Sequence, residues 1–333
     1  MRRAPLTIAL TAALTAACGV VQPGPDTASP TPAATGGARQ SLAKDRVKAP
    51  AKATPEPSAS PARPPRVPRG TEAGFMVFDR ATGRATVGYE VHTRFRSASV
   101  VKILIAVDYL ESREPGTAVP ARDRDLLRRM LRSSDDDAAT ALWKRGGQGA
   151  IVDRMVRRAG LTETERPPAS KPGFWGYTAL SAADVVRTYR YLLDRADPKV
   201  RDLVLGHLRD ATRCAADDFD QYFGIPSALP RPWAVKQGWS GYGSTPAVRC
   251  AGTRASSVSE TVAGPMEAPA VATAAGPPVN LSRPVLHTTG LVGKGDRLIV
   301  AVLTLQPAGA SFTDSATRLT ALTRAVYRSG RPR

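Results

Sequence analysis

RSASVVKILIAVDYL, residues 96–110, is the stretch that decides how the rest of this sequence folds. It places Ser99 and Lys102 three residues apart at the head of an apolar run. In a helix this spacing puts both side chains on one face. Because residues 100–107 are apolar on every side except at Lys102, the pattern predicts a helix buried in a large domain.

A buried Lys102 would favour its neutral form, and a neutral amine can accept the proton of the Ser99 hydroxyl. Free backbone N–H groups at the start of the helix would favour negative charge developing at Ser99. Two interpretations stay open: a Ser-Lys nucleophile pair, or a core helix with a snorkelling lysine. The spacing does not choose between them, because Ser41 and Lys44 repeat it in a polar segment.

The composition is that of a globular protein with a large core, since 42% of the 333 residues are hydrophobic and 23% are charged. The net charge of +18 comes mostly from scattered arginines without a nucleic-acid-binding motif, so we expect no nucleic-acid partner. The charge instead favours anionic envelope polymers and lipid head groups. The histidines lack metal-ligand spacing, and we expect neither a metal nor a cofactor.

Residues 1–18 have the pattern of a signal peptide, with Arg2 and Arg3 before an uncharged apolar run that ends at Cys18. The run is too short to span a membrane. LTAACG, residues 14–19, resembles the bacterial lipobox, which implies a lipid on Cys18 and attachment to the outer face of the cell membrane. Simple secretion stays open, because Thr15 stands where the lipobox usually has leucine.

Residues 19–70 are rich in Pro, Ala, Ser and Thr and too poor in large apolar side chains to fold, which predicts a disordered tether. Residues 71–333 would form one domain, interrupted by a low-complexity insert at 251–278. Export would carry Cys214 and Cys250 to an oxidising compartment. Either a disulfide between them or two free buried thiols is compatible with the sequence.

The pattern within the domain predicts an α+β fold. A hairpin at residues 74–91 precedes a helical middle over residues 99–208. Three later strands and a closing helix follow, at residues 233–239, 285–292, 297–304 and 311–327. The N- and C-terminal strands would complete one antiparallel sheet, packed against helices and an all-helical lobe.

Three polar clusters follow one another along the chain: Ser99-x-x-Lys102, Ser134-Asp-Asp136 and Lys236-Gln-Gly238. Their order resembles the Ser-x-x-Lys, Ser-Asp-Asn and Lys-Thr-Gly motifs of serine β-lactamases and penicillin-binding proteins. The arrangement is most similar to class A β-lactamases, and the resemblance covers the chain from residue 71 to its end. It implies that the substrate is a β-lactam or an acyl-D-Ala-D-Ala end of peptidoglycan.

The resemblance also implies a role for each of these residues. Ser99 would attack the carbonyl and become the acyl-enzyme, while Lys102 accepts its proton. Ser134 would pass a proton to the leaving nitrogen, and Lys236 would hold Ser134 and attract the substrate carboxylate. The backbone N–H groups of Ser99 and Trp239 would form an oxyanion hole.

Gly238 would let the substrate lie close along its strand, and Trp175 could line the cleft. Asp136 stands where the family has asparagine; its carboxylate cannot donate a hydrogen bond to substrate, and its charge would tend to keep both lysines protonated. Gln237 replaces the hydroxyl residue that helps to bind the carboxylate. Glu165 is the candidate for the glutamate that activates the deacylating water, although its surroundings lack the sequence of the family.

The sequence therefore predicts an exported serine acyl-enzyme hydrolase, β-lactamase-like, that acts on β-lactams or D-Ala-D-Ala peptides of peptidoglycan. The alternative is a catalytically impaired penicillin-binding or wall-sensing lipoprotein of the same fold. The intact Ser99, Lys102, Ser134 and Lys236 favour the hydrolase, whereas Asp136, Gln237 and the missing loop signature favour the alternative. In both cases we expect a monomer that is either attached to the membrane through a lipid on Cys18 or secreted.

Overall fold

The computed structural model describes residues 62–251 and 279–332. The predicted signal peptide with Cys18, the tether up to residue 61 and the insert over residues 252–278 lie outside the described residues, as do Ser41 and Lys44. In the two described ranges, no helix is both long enough and apolar enough to cross a bilayer.

The described strands are β1 Glu72–Asp79, β2 Arg84–Tyr89, β3 Phe95–Arg96, β4 Ala179–Leu180, β5 Trp233–Ser240, β6 Val285–Val292 and β7 Leu298–Leu305. Five of them form an antiparallel sheet in the order β2-β1-β7-β6-β5. β1 pairs with β7 along its whole length, from Glu72 opposite Leu305 to Asp79 opposite Leu298. The prediction that strands from both ends of the chain complete one sheet is confirmed, and β5 is an edge strand of that sheet.

The described helices are α1 Lys102–Glu111, α2 Ala121–Arg132, α3 Asp136–Arg145, α4 Gly149–Ala159, α5 Ala182–Asp194, α6 Pro198–Arg209, α7 Ile225–Ala228 and α8 Phe312–Gly330. α3, α5 and α8 begin after Asp135, Ser181 and Ser311, whose side chains each accept a backbone N–H of the first turn. α1 is buried along most of its length, as its apolar run predicts.

The sheet lies between two apolar cores, because successive side chains of a strand point to opposite faces. In β7, Ile299, Ala301 and Leu303 face the core formed with helices α1 to α6. Val300 and Val302 face the core formed with α8. Burial on both faces explains the continuous apolar run of β7, and the predicted α+β class is confirmed.

The start of the nucleophile helix differs from the prediction. Ser99 lies in a 3₁₀ turn, Ala98–Val101, that precedes α1. The N–H of Lys102 bonds the carbonyls of both Ser99 and Val100. Ala98 has φ of 45°, in the left-handed region that residues with a Cβ seldom adopt. Ser99 therefore follows a strained residue, and the sequence pattern contains no signal for that strain.

A disulfide joins Cys214 and Cys250, with their Cα atoms 5.5 Å apart. It links the segment after α6 to the segment after β5. The backbone N–H of Cys250 also donates to the carbonyl of Asp218 over 2.8 Å.

His287 ties the sheet to the segment that leads into Ser99. Its Nδ1 accepts the backbone N–H of Thr304 over 3.1 Å, so the proton must be on Nε2, which donates to the carbonyl of Arg96 over 2.8 Å. The ring is fully buried. Burial lowers the pKa of His287 from 6.5 to about 4.

We expect His287 to make the protein less stable as the pH falls from 6.5 to 4. In that range the unfolded chain binds a proton on this histidine and the folded protein does not. The free energy of unfolding should fall by about 3 kcal/mol through this group, at about 1.4 kcal/mol per pKa unit. Urea unfolding at several pH values would measure this loss. The control is His287→Gln, whose stability should fall less over the same range; equal slopes would contradict the assignment.

Candidate active site

Ser99 lies against the edge strand β5 and is 5% exposed. The contact occurs at Gly238. A Cβ atom built there would lie 3.0 Å from the carbonyl oxygen of Ser97 and 3.3 Å from the backbone nitrogen of Ser99. A side chain at this position would therefore press on the serine turn, and glycine lets the strand approach it this closely.

Lys102 is fully buried and donates three hydrogen bonds. Its Nζ lies 2.5 Å from the Ser134 carbonyl oxygen, 3.3 Å from Ser134 Oγ and 2.5 Å from Asp136 Oδ1. An ammonium group has three protons, and these acceptors use all of them. No hydrogen bond joins Lys102 to the hydroxyl of Ser99 among the described contacts. In this arrangement the Lys102 amine acts as a hydrogen-bond donor.

Ser134 lies at the kink between α2 and α3 and is 4% exposed. Its φ of 56° is again in the left-handed region. This conformation allows its carbonyl and its hydroxyl both to contact Lys102. Asp135 caps α3 from the next position, and Asp136 begins the helix with its side chain 68% exposed, beside Lys102.

Lys236 completes the cluster from β5. Its Nζ donates to Ser134 Oγ over 2.8 Å, so the Ser134 hydroxyl lies between two amines. Burial, and next the positive charge of Lys102, hold the pKa of Lys236 well below its ordinary value. Asp136 acts on Lys236 in the expected direction, towards the protonated form, but burial and the charge of Lys102 lower the pKa by more than the carboxylate raises it.

Gln237 does not contact this cluster. It is 2% exposed, and its amide donates to the carbonyls of Phe223 and Gln221 over 2.5 and 3.3 Å. Its Oε1 accepts from the Thr288 hydroxyl over 2.8 Å. The prediction that Gln237 binds substrate is not supported, because its amide is occupied by partners within the protein.

Glu165 also lies away from the cluster. It pairs with Arg94, its backbone pairs with Ala179, and its side chain is 43% exposed. Glu163, the other acid of this loop, bonds Ser181 and Arg187. The described contacts join neither glutamate to Ser99 or Lys102. A deacylating role for Glu165 is not supported, because strand-like pairing holds its segment against β4.

The same loop places an aromatic ring at the cluster instead. Lys102 Nζ lies 4.6 Å from the centre of the Trp175 ring, a cation–π contact. The indole N–H of Trp175 donates to Thr140 Oγ1 over 3.2 Å. The interpretation of Trp175 as a cleft residue agrees with this position.

The sequence interpretation did not single out Asp217, which interacts electrostatically with Asp136 and Lys102. Its Oδ2 accepts the indole N–H of Trp239 over 3.1 Å. Burial, and next the negative charge of Asp136, raise the pKa of Asp217 to about 6. Asp217 belongs to none of the three motifs, and the only sequence signal near it is Cys214, three residues earlier.

The structure thus brings Lys102, Ser134 and Lys236 together by hydrogen bonds, with Ser99 on the adjoining turn. The site therefore holds two hydroxyls and two amines, the groups that the resemblance assigns to acyl transfer. In the described ranges, no three His, Cys, Asp or Glu side chains converge as metal ligands.

The sheet and the helical lobe have the fold of serine β-lactamases and penicillin-binding proteins. A class A β-lactamase from Mycobacterium abscessus aligns with a TM-score of 0.53 and 21% identity, over 78% of this chain and 94% of that one. A point mutant of PBP-A, solved as an acyl-enzyme complex with penicillin G, aligns with a TM-score of 0.52 and 14% identity, over 78% and 90% of the two chains. At these identities the likeness shows the fold.

Among curated proteins, the chain is similar to "Putative lipoprotein LppW" of Mycobacterium tuberculosis and of Mycobacterium bovis. The identity is 37% over 175 residues, which is 51% of this chain and 54% of each relative. The chain therefore spans about half the length of the curated relatives it matches. No family model matches the chain.

Proposed function

We propose that this chain is an exported penicillin-binding protein that is acylated at Ser99 by β-lactams or by D-Ala-D-Ala peptides and releases the acyl group slowly. One observation carries the proposal: the Ser134 hydroxyl lies between Lys236 and Lys102, 2.8 and 3.3 Å away, beside the turn that bears Ser99. It places a hydroxyl and two amines, groups that can move protons during acyl transfer, next to the proposed nucleophile.

In the proposed step, Ser99 Oγ bonds to the carbonyl carbon and the C–N bond breaks. The hydroxyl proton of Ser99 goes to Lys102, and Ser134 gives its proton to the leaving nitrogen and regains one from a lysine. Lys102 must first lose a proton, because its three donor positions are all in use. The Asp136 carboxylate opposes that loss, so acylation should be slower than it would be without a negative charge beside Lys102.

Slow release is supported by the loop over residues 161–177. Glu165 and Glu163 bond other partners, and Trp175 covers Lys102. Neither glutamate is then in place to activate water, so the acyl-enzyme should be long-lived. This favours the penicillin-binding alternative over a fast hydrolase.

Export and attachment through Cys18 are part of the proposal. They rest on the signal-peptide pattern, the resemblance of residues 14–19 to a lipobox and the similarity to relatives named as lipoproteins. A lipid on Cys18 would hold the domain at the outer face of the cell membrane, within reach of peptidoglycan peptides.

A fluorescent penicillin tests the acyl chemistry. After labelling, intact-mass measurement and peptide mapping would locate the adduct. Free penicillin would then be removed, and the loss of adduct with time would measure the release of the acyl group. We expect one adduct, on Ser99, that persists for hours. Release within seconds would contradict the slow step and support a β-lactamase. No adduct at any concentration would remove acyl transfer from the function.

A second candidate function is non-covalent recognition of wall peptides, which the ion pair between Lys102 and Asp136 favours. Calorimetry with a D-Ala-D-Ala peptide would detect such binding. Binding without any adduct on Ser99 would establish this function in place of the first.

We expect Gly238→Ala to slow acylation by penicillin about 10- to 100-fold. The added Cβ would press on Ser97 O and the Ser99 backbone, and would shift the donors that stabilise the oxyanion. The labelling rate measures the effect. Gly206→Ala is the control, because a Cβ at this glycine of α6 meets nothing within 4 Å. Equal rates for the two variants would contradict the close approach at Gly238.

A further inference from the structure

Gln221 is a buried glutamine that the sequence interpretation did not single out. It is 2% exposed, and its side-chain amide donates to the carbonyls of Arg132 and Thr212, both over 2.7 Å. A side-chain amide has two N–H donors, and these two short bonds use both. Because both acceptors are carbonyl oxygens, the contacts also fix which way the amide points.

The contact with Arg132 lies at the kink that bears Ser134. Arg132 is the last residue of α2, two positions before Ser134, and carbonyls at the end of a helix have no partner within that helix. The Arg132 carbonyl also accepts the N–H of Thr212 over 3.0 Å, and the Ser133 carbonyl accepts the N–H of Ala216 over 2.7 Å. Hydrogen bonds from one segment therefore hold both residues that precede Ser134.

The same segment is attached to β5 beside Lys236. Gln237 is the next residue of the strand, and successive side chains of a strand point to opposite faces. Lys236 contacts Ser134 on one face, whereas the Gln237 amide donates to the carbonyls of Gln221 and Phe223 over 3.3 and 2.5 Å. The kink and the strand are thus joined through Gln221, by its side chain at one end and its backbone at the other. We call this connection the Gln221 bridge.

Two connections therefore link the kink to β5. One is the hydrogen bond from Lys236 Nζ to Ser134 Oγ, over 2.8 Å, and the other is the Gln221 bridge. A lysine has a long and flexible stem that can follow a partner that moves. The bridge ends instead on backbone carbonyls, which move only with the backbone itself. We therefore expect the bridge, more than the lysine, to fix the position of the kink relative to the strand.

We propose that Gln221 is a positioning residue that holds the Ser134 hydroxyl in place for proton transfer to the leaving nitrogen. This inference rests on the proposed acylation of Ser99. In that step the C–N bond breaks, Ser134 gives its hydroxyl proton to the nitrogen, and Ser134 takes a proton back from a lysine. A displacement of about 1 Å at a reacting group can slow a reaction about 100-fold. Because Gln221 acts through Ser134, its loss should slow this step and leave ligand binding unchanged.

Two acylating probes distinguish this role from general damage to the site. A fluorescent penicillin has a nitrogen leaving group, which must gain a proton as the C–N bond breaks. An acyl-D-alanyl thioester releases a thiolate, which is far less basic and leaves without a proton. Intact-mass measurement follows the adduct on Ser99 for both probes, over a range of probe concentrations.

We expect Gln221→Met to lower the maximal rate of penicillin acylation by about 10- to 100-fold, with an unchanged half-saturating concentration. Methionine fills similar space but has no N–H to donate. Acylation by the thioester should slow by less than about threefold, because it does not use the proton of Ser134. Gln237→Met cuts the bridge at its β5 end and should show the same preference. It provides the measurement if thermal melting shows that Gln221→Met does not fold.

Gln306→Met is the matched control. Gln306 is also fully buried, and its amide donates to Thr304 Oγ1 over 2.7 Å, directly after β7. Both probes should label it at wild-type rates. Penicillin acylation at the wild-type rate in the two bridge variants, equal slowing of both probes, or the same preference in Gln306→Met would each overturn this inference alone. Failure of both probes to label Ser99 in the wild type would overturn the proposed function, and the inference with it.

Discussion

Replacement of Ser99 by alanine is expected to abolish covalent labelling by a fluorescent penicillin. Ser99 adjoins the cluster of Lys102, Ser134 and Lys236. Its Oγ is the atom that we propose becomes acylated, and alanine lacks that atom. Ser134 has a hydroxyl too, but its Oγ accepts hydrogen bonds from both Lys102 and Lys236. The loss should be complete within detection, with an unchanged thermal midpoint, because Ser99 Oγ makes none of the described hydrogen bonds.

Ser41→Ala is the matched control for this substitution. Ser41 and Lys44 repeat the Ser-x-x-Lys spacing of Ser99 and Lys102, outside the described residues. Labelling should be unaffected. An adduct that survives Ser99→Ala with wild-type yield, or that disappears in Ser41→Ala, would contradict the assignment of the nucleophile.

Lys102→Met should lower the second-order rate of acylation by about 1000-fold, within the range that loss of a general base costs. Methionine approximates the length of lysine but cannot accept a proton. The substitution also leaves the Ser134 carbonyl without its donor at 2.5 Å, at a cost of about 1 to 3 kcal/mol in stability. Labelling rates must therefore be compared at a temperature where thermal melting shows both proteins folded.

Asp136→Asn should change the acylation rate in the opposite direction from Lys102→Met. It removes the carboxylate 2.5 Å from Lys102 and should make loss of the lysine proton easier, so acylation should become faster. Damage to the fold would slow acylation in both variants, whereas an effect on proton transfer should slow it in Lys102→Met and speed it in Asp136→Asn. A rate for Lys102→Met within tenfold of the wild type would exclude Lys102 as the base, and slower acylation in Asp136→Asn would show that its carboxylate assists the reaction.

The elements of the fold follow closely from the sequence. The alternation in residues 74–91 predicts the hairpin of β1 and β2, and the apolar run after Lys102 predicts a buried helix. Local patterns are less informative for β3, β4 and α7, which have two, two and four residues. Elements this short are defined by their partners in the fold and contain too few residues to show a period.

The sequence by itself determined the sheet strands, the helices of the lobe and the three motifs, since each strand, helix or motif is a pattern of residues within a few positions of one another. The order of the motifs is read directly from the chain. Only the tertiary structure decided that Asp217 accepts the indole N–H of Trp239, that Trp175 covers Lys102 and that the amide of Gln237 is occupied internally. Each of those contacts joins residues that lie many positions apart in the chain. Their geometry depends on how whole elements pack, and a one-dimensional pattern carries no information about the direction in which a side chain meets a distant partner.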